Sequence, residues 1–349
     1  MKKKDISLTE KEVKLKSEAA DRKGKALLFL SGALFALLAA VLSICLGASG
    51  MSLGKLWSAL ISGPGPSAAQ RIFWFVRLPR TGACLLAGAG LAVSGTIIQK
   101  VLSNSLASPG IIGVNAGAGF AVALCCGLGI FTSWAIAGAA FAGAVLSTFL
   151  VVSVARKSHA SKTTVVLGGV AVTACLNAMT ETVITFVPDA ALSSRDFRVG
   201  GFSAVNQARL LPAAIIIIAG VILACTLTNE LDVLSLGDDT AKSLGMRVSL
   251  VRNGMLTLAA LLAGACVSFA GILGFVGLIV PHIARRIGGS ESGRLLPFAA
   301  LLGAGFVSVC DLLSRMIFAP YELPTGILMS FLGGPFFIWL LRNRKGGSV

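Results

Sequence analysis

Residues 271–286 read GILGFVGLIVPHIARR, and this stretch decides the fold. Its larger part is apolar enough to lie in hydrocarbon. Gly271, Gly274 and Gly277, spaced three residues apart, let neighbouring helices approach closely. Pro281 removes a backbone donor close to the basic end of the segment. The pattern predicts a segment that packs tightly inside a membrane and ends at a charged surface.

The composition places the rest of the chain in a membrane as well. Of its 349 residues, 55% are hydrophobic and only 13% are charged, and apolar runs recur from residue 26 to residue 341. No single water-soluble core could bury so much apolar surface. The net charge of +15 lies in short clusters between apolar runs, the pattern of cytoplasmic loops and not of a nucleic-acid surface. We therefore expect an all-α polytopic membrane protein that binds no nucleic acid.

Residues that often carry chemistry form no recognisable motif here. The eight cysteines lie within or at the edge of apolar segments without C-x-x-C spacing, which indicates small packing residues. His159 and His282 lie far apart in sequence, at cytoplasmic edges. A Walker A sequence is absent, since Gly54-Lys55 lacks the upstream glycine and is followed by Leu56. The sequence predicts no catalytic residue, bound ATP, metal or cofactor.

Ten apolar segments follow a polar tail. The tail, residues 1–25, carries nine Lys or Arg and precedes an apolar run too long for a signal peptide. The segments are 26–47, 82–102, 110–131, 134–155, 164–187, 210–228, 254–271, 272–284, 295–318 and 324–341. As a helix, 272–284 reaches only about 20 Å. If it spans, 22 Lys/Arg lie inside and 8 outside, against 17 and 13 if it returns, so we expect ten transmembrane helices with both termini cytoplasmic.

These boundaries predict a cytoplasmic tail (1–25), a ten-helix domain (26–341) and a second cytoplasmic tail (342–349). Within the domain, LLAGAGLAVSG (85–95) and LLAGACVSFAG (261–271) share six of eleven positions. They would be the second and seventh spans, as in an inverted five-helix repeat. Because Gly and Ala are abundant, chance similarity is an equal alternative. Residues 53–61 could form a short interfacial helix.

Three arginines lie on the outer side, where the charge rule disfavours them. Arg77 and Arg80 precede the second span, and Arg315 ends the ninth, one helical turn after Asp311. They could be interfacial anchors whose charged ends reach water, or a docking surface for an acidic partner. Glu181, in the fifth span, is either a functional acid or close enough to the outer end to reach water.

The connection LGDDTAKSLGMRV (236–248), between the sixth and seventh spans, is polar and longer than a simple connector. It predicts a short cytoplasmic helix from Asp238 to Leu244, with Gly245 as its stop. Such a helix suits insertion into a groove of a partner. A solvated loop is the alternative.

In addition, the chain resembles the FecCD family of ABC-importer permeases for ferric siderophores, haem and cobalamin. The resemblance covers RLPRTGACLLAGAGLAVSGTIIQ (77–99), ASPGIIGVNAGAGF (107–120), residues 236–248, the stretch 271–286 and residues 294–341; GFVGLIVPHIAR and ELPTGI are its most specific parts. It implies ten helices per subunit, two subunits around a central path, two cytoplasmic ABC ATPases and an extracytoplasmic binding protein. The family's location is the bacterial cytoplasmic membrane.

The resemblance also implies roles for individual residues. Arg77, Arg80 and Arg315 match arginines that meet acidic residues of the binding protein. Asn104 and Leu106 match the region of the cytoplasmic gate, although Ser105 replaces a usual proline, and Phe197 replaces a common tryptophan elsewhere. The coupling helix that seats in the ATPase corresponds to Asp238, Asp239, Thr240, Ala241, Lys242, Ser243, Leu244 and Gly245.

We therefore expect a non-enzymatic permease subunit that imports a ferric siderophore by alternating access, driven by partner ATPases. Haem and cobalamin stay open because selectivity resides largely in the binding protein. The second permease is an identical copy or a paralogue. The alternatives are an ion-coupled secondary transporter, with more buried carboxylates and broken helices, and an intramembrane enzyme, which needs a catalytic constellation.

Overall fold

The computed structural model describes residues 2–47, 51–157, 162–205 and 207–343, and every regular element within these ranges is a helix. The α-helices are α1 Lys2–Cys45, α2 Leu53–Ser62, α3 Ala68–Arg71, α4 Leu78–Val101, α5 Val114–Gly127, α6 Ser133–Lys157, α7 Lys162–Phe186, α8 Pro188–Val199, α9 Gln207–Thr226, α10 Thr228–Ser235, α11 Asp238–Ser243, α12 Val248–Ala270, α13 Val276–Gly288, α14 Ser292–Met316 and α15 Thr325–Asn343. A π-helical turn, Ile72–Arg77, leads into α4, and a 3₁₀ turn, Pro109–Ile112, precedes α5. The expected all-α class is confirmed.

In the described part of the chain, eight helical segments are long and apolar enough to cross a membrane. They are Gly24–Cys45, Ala68–Val101, Ser133–Val154, Thr163–Phe186, Gln207–Thr226, Val248–Ala270, Ser292–Met316 and Thr325–Arg342. The expected third and eighth spans correspond to helices that are shorter than these eight segments, with 14 residues in α5 and 13 in α13. The count of ten spans with cytoplasmic termini therefore stays a prediction. Helix α1 continues without a break through the predicted tail.

Helices α4, α12 and α14 form the centre of the bundle, and small residues allow their close packing. Within the span windows, 78% of residues in α4 are buried, against 17% in α1 and in α7. A Cβ atom on Gly88 of α4 would lie only 2.1 Å from the carbonyl oxygen of Gly303 in α14. On another face of α4, the Ser94 hydroxyl donates to the carbonyl of Ala259 in α12 at 2.6 Å. The centre is thus built by backbone approach, as is common between membrane helices.

The stretch 271–286 is not one helical segment, so the predicted boundaries 272–284 are wrong. Helix α12 ends before Gly271, whose φ is +68°, and α13 begins after Phe275, whose φ is +65°. At the break, the backbone forms hydrogen bonds with the last turn of α8 and the chain just after it: the Ile272 N–H donates to the Phe197 carbonyl at 2.9 Å, and the Gly201 N–H donates to the Ala270 carbonyl at 2.8 Å. Irregular backbone is tolerated at membrane depth where protein supplies such partners.

Two short helices flank the spans. The helix expected over 53–61 is confirmed as α2, which buries Leu56 and Ala59 and exposes Trp57 and Ile61. This amphipathic pattern, with an exposed tryptophan, is typical of a helix at a membrane interface. Helix α8 was not predicted. It begins at Pro188, a residue favoured in a first helical turn, and its polar composition gave no apolar period to detect.

Replacement of Gly88 by alanine should destabilise the bundle by about 1–3 kcal/mol, because the added methyl group would overlap the backbone of Gly303. The matched control is Gly138→Ala in α6, where a Cβ meets no atom within 4 Å, so its stability should be unchanged or slightly higher. Thermal unfolding in detergent measures both. Equal melting temperatures for the two variants would contradict the close approach of α4 and α14.

Candidate functional site

Three helices meet in a buried charged cluster at one end of the bundle. The Arg80 guanidinium binds the Asp311 carboxylate with Nε–Oδ2 and Nη2–Oδ1 distances of 3.1 and 3.0 Å, and its Nη1 lies 2.7 Å from Glu322 Oε2. Arg315 Nε lies 3.0 Å from Asp311 Oδ2. Thr325, at the start of α15, donates to Asp311 at 2.9 Å. Asp311 is fully buried, so this carboxylate joins α4, α14 and α15 in a low-dielectric site.

The same cluster closes the end of α1. The last four carbonyl groups of a helix lack partners within the helix. Arg77 donates to the carbonyls of Ile44 and Cys45, and Arg315 donates to the Ser43 hydroxyl at 2.9 Å. Two guanidinium groups therefore lie at the negative end of the α1 dipole, where cations are stabilising.

The structure brings the three predicted docking arginines together but does not display them. Arg77, Arg80 and Arg315 are only 4%, 7% and 4% exposed, and each binds within the chain. The expected pair of Arg315 with Asp311 is confirmed. The pairing of Arg80 was missed because its acid lies 231 residues away in sequence. Among the charged groups of the cluster, Glu322 is the most accessible, with 37% of its side chain exposed.

The short helix expected in the connection 236–248 is confirmed as α11, with bounds Asp238–Ser243. Both flanking glycines adopt positive φ, +108° at Gly237 and +81° at Gly245, and this explains its sharp ends. Asp238 forms an ion pair with Arg252 of α12, and Ala241 is fully buried. The outward face consists of polar residues and Leu244, which is 63% exposed. An exposed leucine beside a polar helix offers an apolar contact to a partner.

The predicted gate residues lie in the turn that follows α4. The Asn104 side chain accepts from the Leu106 N–H at 3.0 Å, and the Asn104 N–H donates to the Gln99 carbonyl at 3.0 Å. Ser103 has a φ of +47°. Asn104 and Leu106 are both half-buried, and the turn leads directly into the 3₁₀ segment before α5. The structure fixes the shape of this turn, and its role as a gate stays a prediction.

A cavity of about 470 Å³, with both polar and apolar lining, lies against α7. Thr173, Asn177, Thr180 and Glu181 line it from one side of the helix, because Asn177 lies four residues after Thr173 and Thr180 and Glu181 lie three and four residues after Asn177. Asn115 of α5, Arg198 of α8 and Ile272 line the other sides. A second cavity of about 390 Å³ shares Thr173 and Asn177 and extends to Ser108, beyond the turn of Asn104 and Leu106. The two cavities thus follow one another along α7, and polar groups of α7 alternate with apolar lining.

The one carboxylate in the fifth predicted span has a basic partner. Glu181 Oε1 lies 3.2 Å from Arg198 Nη2, and the side chains are 63% and 41% exposed. The sequence singled out Glu181 but not Arg198, because α8 was not predicted. His282 lies on α13 against Phe336, with ring centroids 5.7 Å apart. His159 lies outside the described residues.

Replacement of Asp311 by asparagine should lower the free energy of unfolding by about 3–5 kcal/mol, because two buried guanidinium groups would lose their shared counter-charge. Glu322→Gln, which neutralises the more exposed acid beside Arg80, is the matched control and should cost less than about 1 kcal/mol. Thermal and urea unfolding in detergent provide the comparison. A similar loss in both variants would contradict the central place of Asp311.

Comparison with known proteins finds a matching family model and relatives that are all named as permeases of import or transport systems. The model of the FecCD transport family matches residues 34–343. The chain is 36% identical to the vitamin B12 import system permease protein BtuC of Shigella boydii, over 88% of this chain and 93% of that protein. It is 36% identical to the iron(3+)-hydroxamate import system permease protein FhuB of Bacillus subtilis, over 93% and 85%. It is 35% identical to the hemin transport system permease protein HmuU of Yersinia pestis, over 87% and 92%.

A solved structure shares the fold. It is described as an inward-facing conformation of a metal-chelate type ABC transporter, and it superposes with a TM-score of 0.80 at 27% identity. The match covers 91% of this chain and 99% of that one. The family match extends over most of the chain, and the named relatives are import permeases. The chain therefore belongs to the FecCD transport family, and it is an ABC-importer permease.

Proposed function

We propose that this permease imports a ferric siderophore through a path between two permease subunits. In this proposal an extracytoplasmic binding protein docks at the end of the bundle that holds Asp311. Two ABC ATPases bind at the opposite end, each against an α11 helix. ATP binding and hydrolysis by these partners drive alternating access, and the chain itself performs no covalent chemistry.

The observation that carries the proposal is the polar face of α7. In the span window of α7, only 17% of residues are buried within the subunit. Hydroxyl, amide and carboxyl groups on such a helix are costly against lipid, so they face protein or water in a membrane. A second permease packed over this face would enclose the cavities along α7 as a shared aqueous path. This second permease is either an identical copy of the chain or a paralogue.

The chemistry of the cavity supports a hydrophilic chelate. Thr173, Asn177, Thr180 and Asn115 offer neutral donors and acceptors, and the Glu181–Arg198 pair adds both charges. A ferric siderophore presents hydroxamate or similar oxygens that suit these groups. The apolar faces of haem would leave these polar and charged groups without hydrogen-bond partners. Vitamin B12 is the second candidate because it too is hydrophilic and because relatives at 36–37% identity are named as its permeases.

Reconstitution of the permease with its ATPase and binding protein in lipid vesicles tests the proposal. Uptake of a ferric hydroxamate, cyanocobalamin and hemin is measured in parallel with and without internal ATP. We expect ATP-dependent uptake of the ferric hydroxamate, and native mass measurement should find two permeases and two ATPases per complex. Uptake of cyanocobalamin or of hemin without uptake of the ferric hydroxamate would show that the proposed substrate is wrong. Uptake driven by an ion gradient without ATP, or one permease per active complex, would contradict the mechanism.

Replacement of Leu244 by aspartate should weaken ATPase binding by about tenfold or more, because an exposed leucine that becomes buried in a contact contributes roughly 1.5–3 kcal/mol. Ser290→Asp adds the same charge at an exposed position between α13 and α14 and serves as the control. Co-purification and transport are the measurements. If Leu244→Asp retains both at the parental level, α11 is not the ATPase contact.

Replacement of Glu322 by glutamine should strengthen docking of the binding protein severalfold at low salt. The change removes the half-exposed negative charge beside Arg80, so the surface over the buried guanidinium repels a carboxylate of the partner less. The gain should disappear as salt is raised. Glu291→Gln, at the opposite end of α14, should have no effect. Weaker docking after Glu322→Gln would show that Arg80 does not receive the partner's acid.

A further inference from the structure

Asp232, in α10, binds two other helices at the end of the bundle opposite Asp311. Its Oδ1 accepts from Lys100 Nζ at 2.7 Å and from the Ser292 hydroxyl at 2.7 Å, and its Oδ2 accepts from the Ser292 N–H at 3.0 Å. Lys100 lies in the last turn of α4, and Ser292 is the first residue of α14. One carboxylate thus connects the end of α4 with the start of α14.

The helix ends explain why a charged group is suited to this position. The first N–H groups of α14 have no partners within the helix, and the local N-cap, Glu291, makes no side-chain capping bond. Asp232 supplies that cap from another helix and places negative charge at the positive end of the α14 dipole. Burial opposes ionisation, but the hydrogen bonds from Lys100 and Ser292 outweigh it and hold the pKa of Asp232 below its usual value. The carboxylate is therefore charged at neutral pH.

Asp232 also lies a few residues before α11, the helix that we propose to contact the ATPase. Leu231 and Leu234 are fully buried and seat α10 in the core. The chain then turns at Gly237 and enters α11, whose Asp238 is paired with Arg252 of α12. A short chain segment therefore links α11 to Asp232 and its contacts, and an ion pair links α11 to α12.

Helices α4 and α14 are joined at both ends and in the middle. Arg80 and Asp311 pair them at one end, the backbones of Gly88 and Gly303 touch in the middle, and Asp232 bridges them at the other end. Two helices held in this way move together more readily than apart. We propose that Asp232 is the positioning residue that transmits a displacement of α11 to the α4–α14 pair. This inference rests on the proposed ATPase contact of α11.

Hydrogen–deuterium exchange on the complete permease–ATPase complex, with and without vanadate-trapped ATP, tests the inference. In the parent, nucleotide should change exchange in α11 and also in the first turn of α14. In Asp232→Asn, the change should be confined to α10 and α11, and the first-turn amides of α14 should exchange about tenfold faster, as expected when a charge-assisted hydrogen bond is lost. Glu291→Gln neutralises an adjacent, more exposed carboxylate and should respond like the parent.

A second variant separates the two contacts of Asp232. Lys100→Gln should leave the cap of Ser292 in place and abolish the nucleotide response only at the inner end of α4. Transport per ATP hydrolysed should fall severalfold in both variants while ATPase binding stays at the parental level, which simple misfolding would not produce. If Asp232→Asn keeps the parental nucleotide response in α14, or Lys100→Gln keeps it at the end of α4, the inference alone is overturned. If the unsubstituted protein does not bind the ATPase through α11, both the proposed function and this inference are overturned.

Discussion

The buried carboxylate of Asp311 is the interaction on which one end of the structure depends. A charge taken out of water is stable only when it is paired and hydrogen-bonded, and Asp311 meets this requirement with Arg80, Arg315 and Thr325. Arg315 then extends to the end of α1, where Arg77 joins it. The order of α1, α4, α14 and α15 at this end is fixed by one connected set of donors and acceptors. Removal of the central acceptor would leave two buried cations.

A second constraint acts on the backbone. In hydrocarbon every N–H and C=O needs a partner inside the protein, so a helix can break only where other chain segments supply partners. The break between α12 and α13 meets this condition through Phe197, in the last turn of α8, and Gly201, just after α8. Helix α8 therefore supplies backbone partners to the break and also forms one wall of the cavity along α7. The position of Arg198 beside Glu181 follows from the same placement.

As a result, ion pairs and hydrogen bonds hold the helices together at both ends of the bundle, while α7 presents polar side chains on one face. Arginine–carboxylate pairs hold the Asp311 end, Asp232 holds the other, and the tightly packed α4 and α14 connect them. Helix α7, in contrast, is little buried and presents Thr173, Asn177, Thr180 and Glu181 to the cavity beside it. A rigid centre beside a loosely covered polar helix suits a transporter, since the helices that line a path must separate while force is transmitted past them.

The sequence by itself determined features that depend on local chemistry. Apolar length predicted most of the membrane helices, the glycines around residues 238–243 predicted the bounds of α11, and a spacing of four predicted the pair of Asp311 with Arg315. Only the tertiary structure decided which distant groups meet. Asp311 finds Arg80 across 231 residues and Asp232 finds Lys100 across 132, and no periodicity encodes such separations. They arise because packing of small residues brings α4 against α14, and because Leu231 and Leu234 seat α10 beside the ends of both helices.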